Sequence, residues 1–150
     1  MKFDKEKILK TLSESWSWEI PNIIDVLAVN SMANCIVRTA ENNFWRICPE
    51  ELYAKVIAVN EKELNEVFSN PDEKADWQLL GLIDEAERVH GELGPGQCYG
   101  MVIPAVIGGD YSVENIQVKS IYEYLALSGS FAHQTKNAKQ GDKIKLCVTD

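Results

Sequence analysis

Histidine is scarce in this chain. Only His90 and His133 carry an imidazole among 150 residues. Metal sites and nucleophile–base pairs that rely on histidine would have to be built on these two. There is no HExxH helix and no G-x-S-x-G elbow. Cys35, Cys48, Cys98 and Cys147 form no close pair, and each lies in an apolar stretch that reads as strand. They read as buried free thiols in preference to disulfides or metal ligands. Lysine is absent between Lys74 and Lys119, which removes the Gly-Lys-Ser/Thr of a phosphate-binding loop. No apolar run approaches the roughly 20 residues of a spanning helix. The opening MKFDKEKILK mixes charge with few apolar residues and does not read as a signal peptide. These absences lead to the expectation of a cytoplasmic protein with no membrane segment, no metal, no cofactor and no catalytic residue.

Positive charge is also in deficit. The formal net charge is −8, which argues against direct nucleic-acid binding. The deficit is local. Residues 1–40 and 94–150 each carry five acids and five bases, whereas residues 41–93 carry thirteen acids and five bases. A patch for a basic partner would concentrate charge in this way.

Apolar content of 45% and a length of 150 residues suit one domain spanning residues 1–150. Residues 3–15 have helical spacing, and 23–30 could be a short strand or a turn of helix. CIVRT (35–39) and FWRIC (44–48) read as a hairpin joined by AENN. Pro49 is expected to open a helix over 50–57, and Asn60 to cap another to Phe68, with Glu63 as its capping-box partner. A third helix over 73–90 would turn Leu79, Leu82, Ile83, Ala86, Val89 and His90 to the core. Glu73, Asp76, Asp84 and Glu87 would share its opposite, acidic face. Trp77 points to that acidic side, either packed on the preceding helix or exposed as an aromatic anchor. His133 falls near the C-terminus of a last helix, 119–134, and KIKLCV (143–148) reads as a closing strand. The order of elements, without regular βαβ alternation, implies α+β: a mainly antiparallel sheet packed with four to five helices.

GELGPGQCYGMVIPAVIGGDY (91–111) holds six of the nine glycines. Gly94, Gly96 and Gly100 are spaced one residue too long for the dinucleotide fingerprint, and they follow a helix where that motif follows a strand. Turn chemistry fits better: Gly94 and Gly96 around Pro95, Pro104 as a break in a run of buried strand, and Gly108-Gly109 as a turn with positive φ.

The segments FWRICPEEL (44–52), Asp76-Trp77, GQCYGMVIPAVIGGDYSVENI (96–116), YLALSGSFAHQ (124–134) and KIKLCV, spanning residues 18–148, together resemble a bacterial family. That family supplies the C-terminal domain of immunity proteins paired with type VI secretion DNase effectors, and in fold it resembles SMI1/KNR4-like immunity domains. Its members often carry an additional N-terminal domain, for which 150 residues leave no room. The resemblance implies an immunity protein that neutralises a cognate toxin, a type VI effector nuclease, by covering its basic active surface. It implies no catalytic residue. The charge pattern supplies the expected contacts: Glu63, Glu66, Glu73, Asp76, Trp77, Asp84 and Glu87. The alternative is a small-ligand or regulatory domain that uses 91–111 as a pocket wall.

Overall fold

In the computed structural model, which describes residues 2–137, the chain begins with helix α1 (Lys5–Ser15), capped by Asp4, whose carboxylate accepts the Lys7 N–H at 3.1 Å. Four strands follow: β1 (Ile23–Val29), β2 (Cys35–Thr39), β3 (Phe44–Cys48) and β4 (Tyr53–Ala58). They pair in sequence order as an antiparallel sheet. Helices α2 (Glu61–Ser69), α3 (Pro71–Gln78) and α4 (Leu80–His90) come next. Strands β5 (Gln97–Met101) and β6 (Ile116–Ser120) form a second antiparallel pair, and α5 (Ile121–Thr135) ends the described chain. The fold is α+β with antiparallel sheets, as the order of elements predicts. The predicted strand 143–148 and Cys147 lie outside the described residues.

The period-2 alternation of the sheet sorts its side chains. Cys35, Val37 and Ile47 face the main core with Ile8 and Leu12 of α1, Trp16 at its C-cap, and Ile121 and Leu125 of α5. The register pairs Ile36 with Arg46 and Arg46 with Lys55, so these residues share the other face. A smaller core gathers Met32, Ala86, Tyr99, Met101 and Ile116 beneath α4. Cys35, Cys48 and Cys98 are buried free thiols. Burial raises all three thiol pKa values, that of Cys98 to about 12, so they remain protonated.

Several expectations are corrected. Pro49 opens only a 3₁₀ turn, Pro49–Glu51, and not a helix over 50–57. Leu52 turns left-handed at φ 52, and the following Tyr, Val and Ile favour extended backbone paired with β3. The predicted helix 73–90 is two helices. Leu79 breaks it at φ 44; Leu79, Leu82 and Ile83 pack on the smaller core as expected, while Trp77, and Leu79 with it, lines a groove on the sheet. Val89 is 58% exposed and His90 is exposed, so neither belongs to the core face. Lys119 and Ser120 are the end of β6, paired with β5, so the last helix starts at Ile121, not 119. The run after Met101 is not buried strand: Val102, Ile103 and Val106 are exposed, and Pro104 caps a 3₁₀ turn, Ala105–Ile107.

The glycine turns form for two different reasons. Gly108 has φ 108, the positive value predicted. Gly109 does not; a Cβ there would lie 1.8 Å from the Ile103 carbonyl oxygen, so close backbone approach excludes a side chain. The Gly94–Gly96 turn is tied by the Gln97 N–H to Gly94 O and by the Gly96 N–H to Lys2 O.

Candidate partner-binding groove

The sheet face carrying Arg46 is the floor of a groove of about 480 Å³. Ile36, Tyr53, Lys55 and Ile57 complete the floor, α2 and α3 form one wall, and Tyr111 stands at the rim. Arg46 is 8% exposed, an unusual burial for a guanidinium. Its partners account for that. Nε and Nη2 both donate to Asn34 Oδ1, at 3.2 and 3.0 Å, and Nη1 donates to Asp76 Oδ2 at 2.6 Å. The amide of Asn34 in turn donates to both carboxylate oxygens of Glu50, at 3.1 and 2.8 Å. Glu50, Asn34, Arg46 and Asp76 thus form one polar ladder from the sheet interior to the groove. Burial raises the Glu50 pKa above the ordinary carboxylate value, opposed by hydrogen bonds and the Arg46 charge.

Asn30 and Asn70 position the wall. The side-chain oxygen of Asn70 accepts the Asp72 and Glu73 N–H groups, capping α3 just after α2 ends. The Asn30 side-chain amide donates to the Trp77 carbonyl at 2.8 Å, and its oxygen accepts the Met32 and Asn34 N–H groups. Trp77 is half-buried. It meets Phe68 of α2 edge-to-face at 6.1 Å and lies 5.5 Å from the Arg46 guanidinium. Packing on the preceding helix therefore describes Trp77, with one side left on the groove.

The groove collects Glu73, Asp76 and Trp77 of the predicted contacts. Glu63 and Glu66 are exposed on α2, where the Glu63 carboxylate accepts the Val59 N–H while its own N–H caps onto Asn60. Asp84 and Glu87 are exposed on α4 and do not line the groove. The four acids expected on one helix face are divided between two helices because Leu79 breaks the run. The expected contacts did not include Asn34, Arg46, Glu50, Glu51, Tyr53 or Asp72, and Tyr111 belongs to the segment 91–111 expected as a pocket wall on the alternative reading. Arg46 did carry a signal: a cation inside the apolar strand FWRIC must find a partner. His133, near the end of α5 as predicted, stacks on Trp18 at 4.6 Å and does not line this groove.

Five carboxylates, Glu50, Glu51, Asp72, Glu73 and Asp76, line the groove beside two cations, Arg46 and Lys55. Arg46 is engaged by Asp76 and Asn34. The surface left over is anionic, aromatic and concave, which suits a recognition domain for a cationic partner.

A family model described as T6SS immunity protein Tdi1, C-terminal, matches residues 58–132, half of the chain, and the chain belongs to that family. The match begins well after residue 18, where the resemblance was read to start. It takes in the helical wall and the glycine-rich loop but not the sheet floor. No curated protein matches the chain. No described helix is long and apolar enough to cross a membrane.

Proposed function

We propose that this immunity-family protein binds and neutralises a cognate type VI effector, a nuclease, by seating the effector's cationic surface on the anionic groove. One observation carries the reading: five of the thirteen acids of residues 41–93 line a concave site beside two cations, and the buried one, Arg46, is already paired. A nuclease needs cations to hold a phosphate backbone, and a surface of opposite sign competes for them. On this reading the chain works in the cytoplasm, contacts no nucleic acid itself and catalyses nothing. The small-ligand alternative has less support. Of residues 91–111 only Tyr111 lines the groove, and Tyr99 is buried with its hydroxyl donating to the Gly91 carbonyl.

The test is co-expression with the toxin encoded beside its gene, scored as survival, together with binding of the purified pair. Survival and a tight, salt-sensitive complex are expected. Unchanged killing, or a complex indifferent to salt and to reversal of Glu73, sinks the proposal.

A further inference from the structure

Beside the groove stands a patch that charge does not explain. Val102, Ile103, Val106, Ile107 and Tyr111 are 47%, 49%, 60%, 36% and 46% exposed, five large apolar residues within ten positions. Single exposed apolar residues are ordinary, whereas a contiguous set marks a contact surface. The loop that carries them is tightly tied. The Asn115 side chain accepts the Ile103 N–H and donates to the Ile103 and Asp110 carbonyls, at 3.0, 2.9 and 3.0 Å. The Val102 N–H donates to Asn115 O, the Gly109 N–H to Pro104 O and the Gly108 N–H to Ala105 O. The apolar side chains are therefore displayed on a pre-organised frame, which lowers the entropy lost when they are covered.

We infer that this loop, residues 102–107, is the apolar anchor that holds the toxin once the acidic groove has attracted it. The inference rests on the immunity reading above and adds a second, chemically different contact to it. Continuity supports it. The Ala105–Ile107 turn packs on the Pro49–Glu51 turn, and Tyr111 lines the groove itself. A partner covering the loop is thereby brought to the Glu51 end of the groove. A second copy of this chain, net charge −8, would bring like charges together there, whereas a cationic partner meets opposite charge. Energetic hot spots are pre-formed apolar contacts from which water is excluded, surrounded by polar groups that contribute less, and the loop with its acidic neighbour has that arrangement.

The experiment uses the full chain and an inactive variant of the toxin encoded beside its gene. Association and dissociation rates are measured at two salt concentrations for wild type, Ile103→Ser with Val106→Ser, and Val106→Ser alone, with melting temperatures as the control for folding. The double variant is expected to dissociate at least tenfold faster, with its association rate and salt dependence near wild type, because short-range contacts act on the off-rate. The single variant should be intermediate and should melt as wild type does. Dissociation within twofold of wild type for both variants overturns the anchor while leaving the immunity reading intact. No binding by wild type removes both. A wild-type dimer that Val106→Ser converts to monomer in sedimentation reassigns the loop to self-association and also overturns the proposal.

Discussion

The two walls of the groove are made differently. The sheet side is an extension of the core: Glu50 is 2% exposed, Arg46 is buried, and the strands beneath them pack on α1 and α5. The helical side has no fully buried residue in either α2 or α3. Few contacts dock α3 to the sheet: the Arg46–Asp76 ion pair, the Trp77 ring beside the guanidinium and the Asn30 hydrogen bond to the Trp77 carbonyl. One wall is fixed by burial and the other is held by a few polar links centred on Arg46. A surface that binds a partner can be built this way, with a rigid floor and a wall whose side chains remain accessible.

Replacing Arg46 breaks this comparison most directly. Arg46→Ala removes the counter-charge of buried Glu50, leaves Asn34 Oδ1 without its donors and frees Asp76. Removing one partner from a buried charged network destabilises by about 3 kcal/mol. Chemical denaturation measures the loss, and hydrogen exchange should show α3 opening ahead of the sheet. An Arg46→Ala protein of wild-type stability would mean that the ladder does not join the walls.

Trp77→Ala removes the Phe68 contact within the helical wall and the ring beside Arg46, and leaves the Arg46–Asp76 pair in place. The ring is half-buried, so its loss should cost about 1–2 kcal/mol, below the range for truncating a fully buried aromatic residue. Exchange should accelerate in α2 and α3, which meet through the Phe68–Trp77 contact, and stay unchanged in β2 and β3. Equal acceleration in both regions would show one cooperative unit in place of two unequal walls.

The buried carboxylate gives a smaller, pH-dependent effect. The Glu50 pKa is raised from 4.5, first by burial. Between 4.5 and its folded value the native state holds the proton more tightly than the unfolded chain does. Stability therefore falls as pH rises through that window and does not recover above it. Glu50→Gln does not titrate. Its stability relative to wild type should thus improve as pH rises above 4.5 in denaturation experiments. A trend in favour of Glu50 with rising pH would show that its link to Arg46 outweighs burial.

Local signals in the sequence served the helical wall well and the sheet floor poorly. Asn60 announces a helix start because a cap acts through neighbouring N–H groups, and its side chain accepts the Glu63 N–H as expected. The hairpin of CIVRT and FWRIC was legible from its β-rich runs and polar connection. Residues 50–57 were not, because Pro-Glu-Glu is a good helix start and the competing interaction, pairing with β3, is non-local. The break falls on Leu79, a residue type that rarely turns left-handed, and Gly81 two positions on is a weak local signal; the break is seen only when two different surfaces claim the residues on either side. The same limit applied to the site. Glu73, Asp76 and Trp77, which line the groove, stand out in the sequence by charge and an out-of-pattern aromatic residue, whereas Glu50 lines it, and Asn34 links to it, only through the folded register and turn.

Charge reversals on the surface should change stability least and separate groove from periphery best. Glu73 lines the groove, while Asp84 and Glu87 are exposed on α4 outside it. Exposed substitutions usually shift stability by about 0.5 kcal/mol or less. Glu73 lies in the first turn of α3, where losing a carboxylate can add a few tenths to about 1 kcal/mol through the helix dipole. Melting curves record that difference and keep it apart from binding. For binding, Glu73→Lys should slow association with the inactive toxin several-fold at low salt, and Asp84→Lys with Glu87→Lys should slow it less despite changing twice the charge. Both effects should shrink as the Debye length falls from about 30 Å at 0.01 M to about 8 Å at 0.15 M salt. A larger effect from the α4 pair would mean that the summed field of residues 41–93 steers the partner and the groove has no special share. A larger effect from Glu73, persisting at 0.15 M, would place the toxin's cations inside the groove, where the pairs are close enough to escape much of the screening.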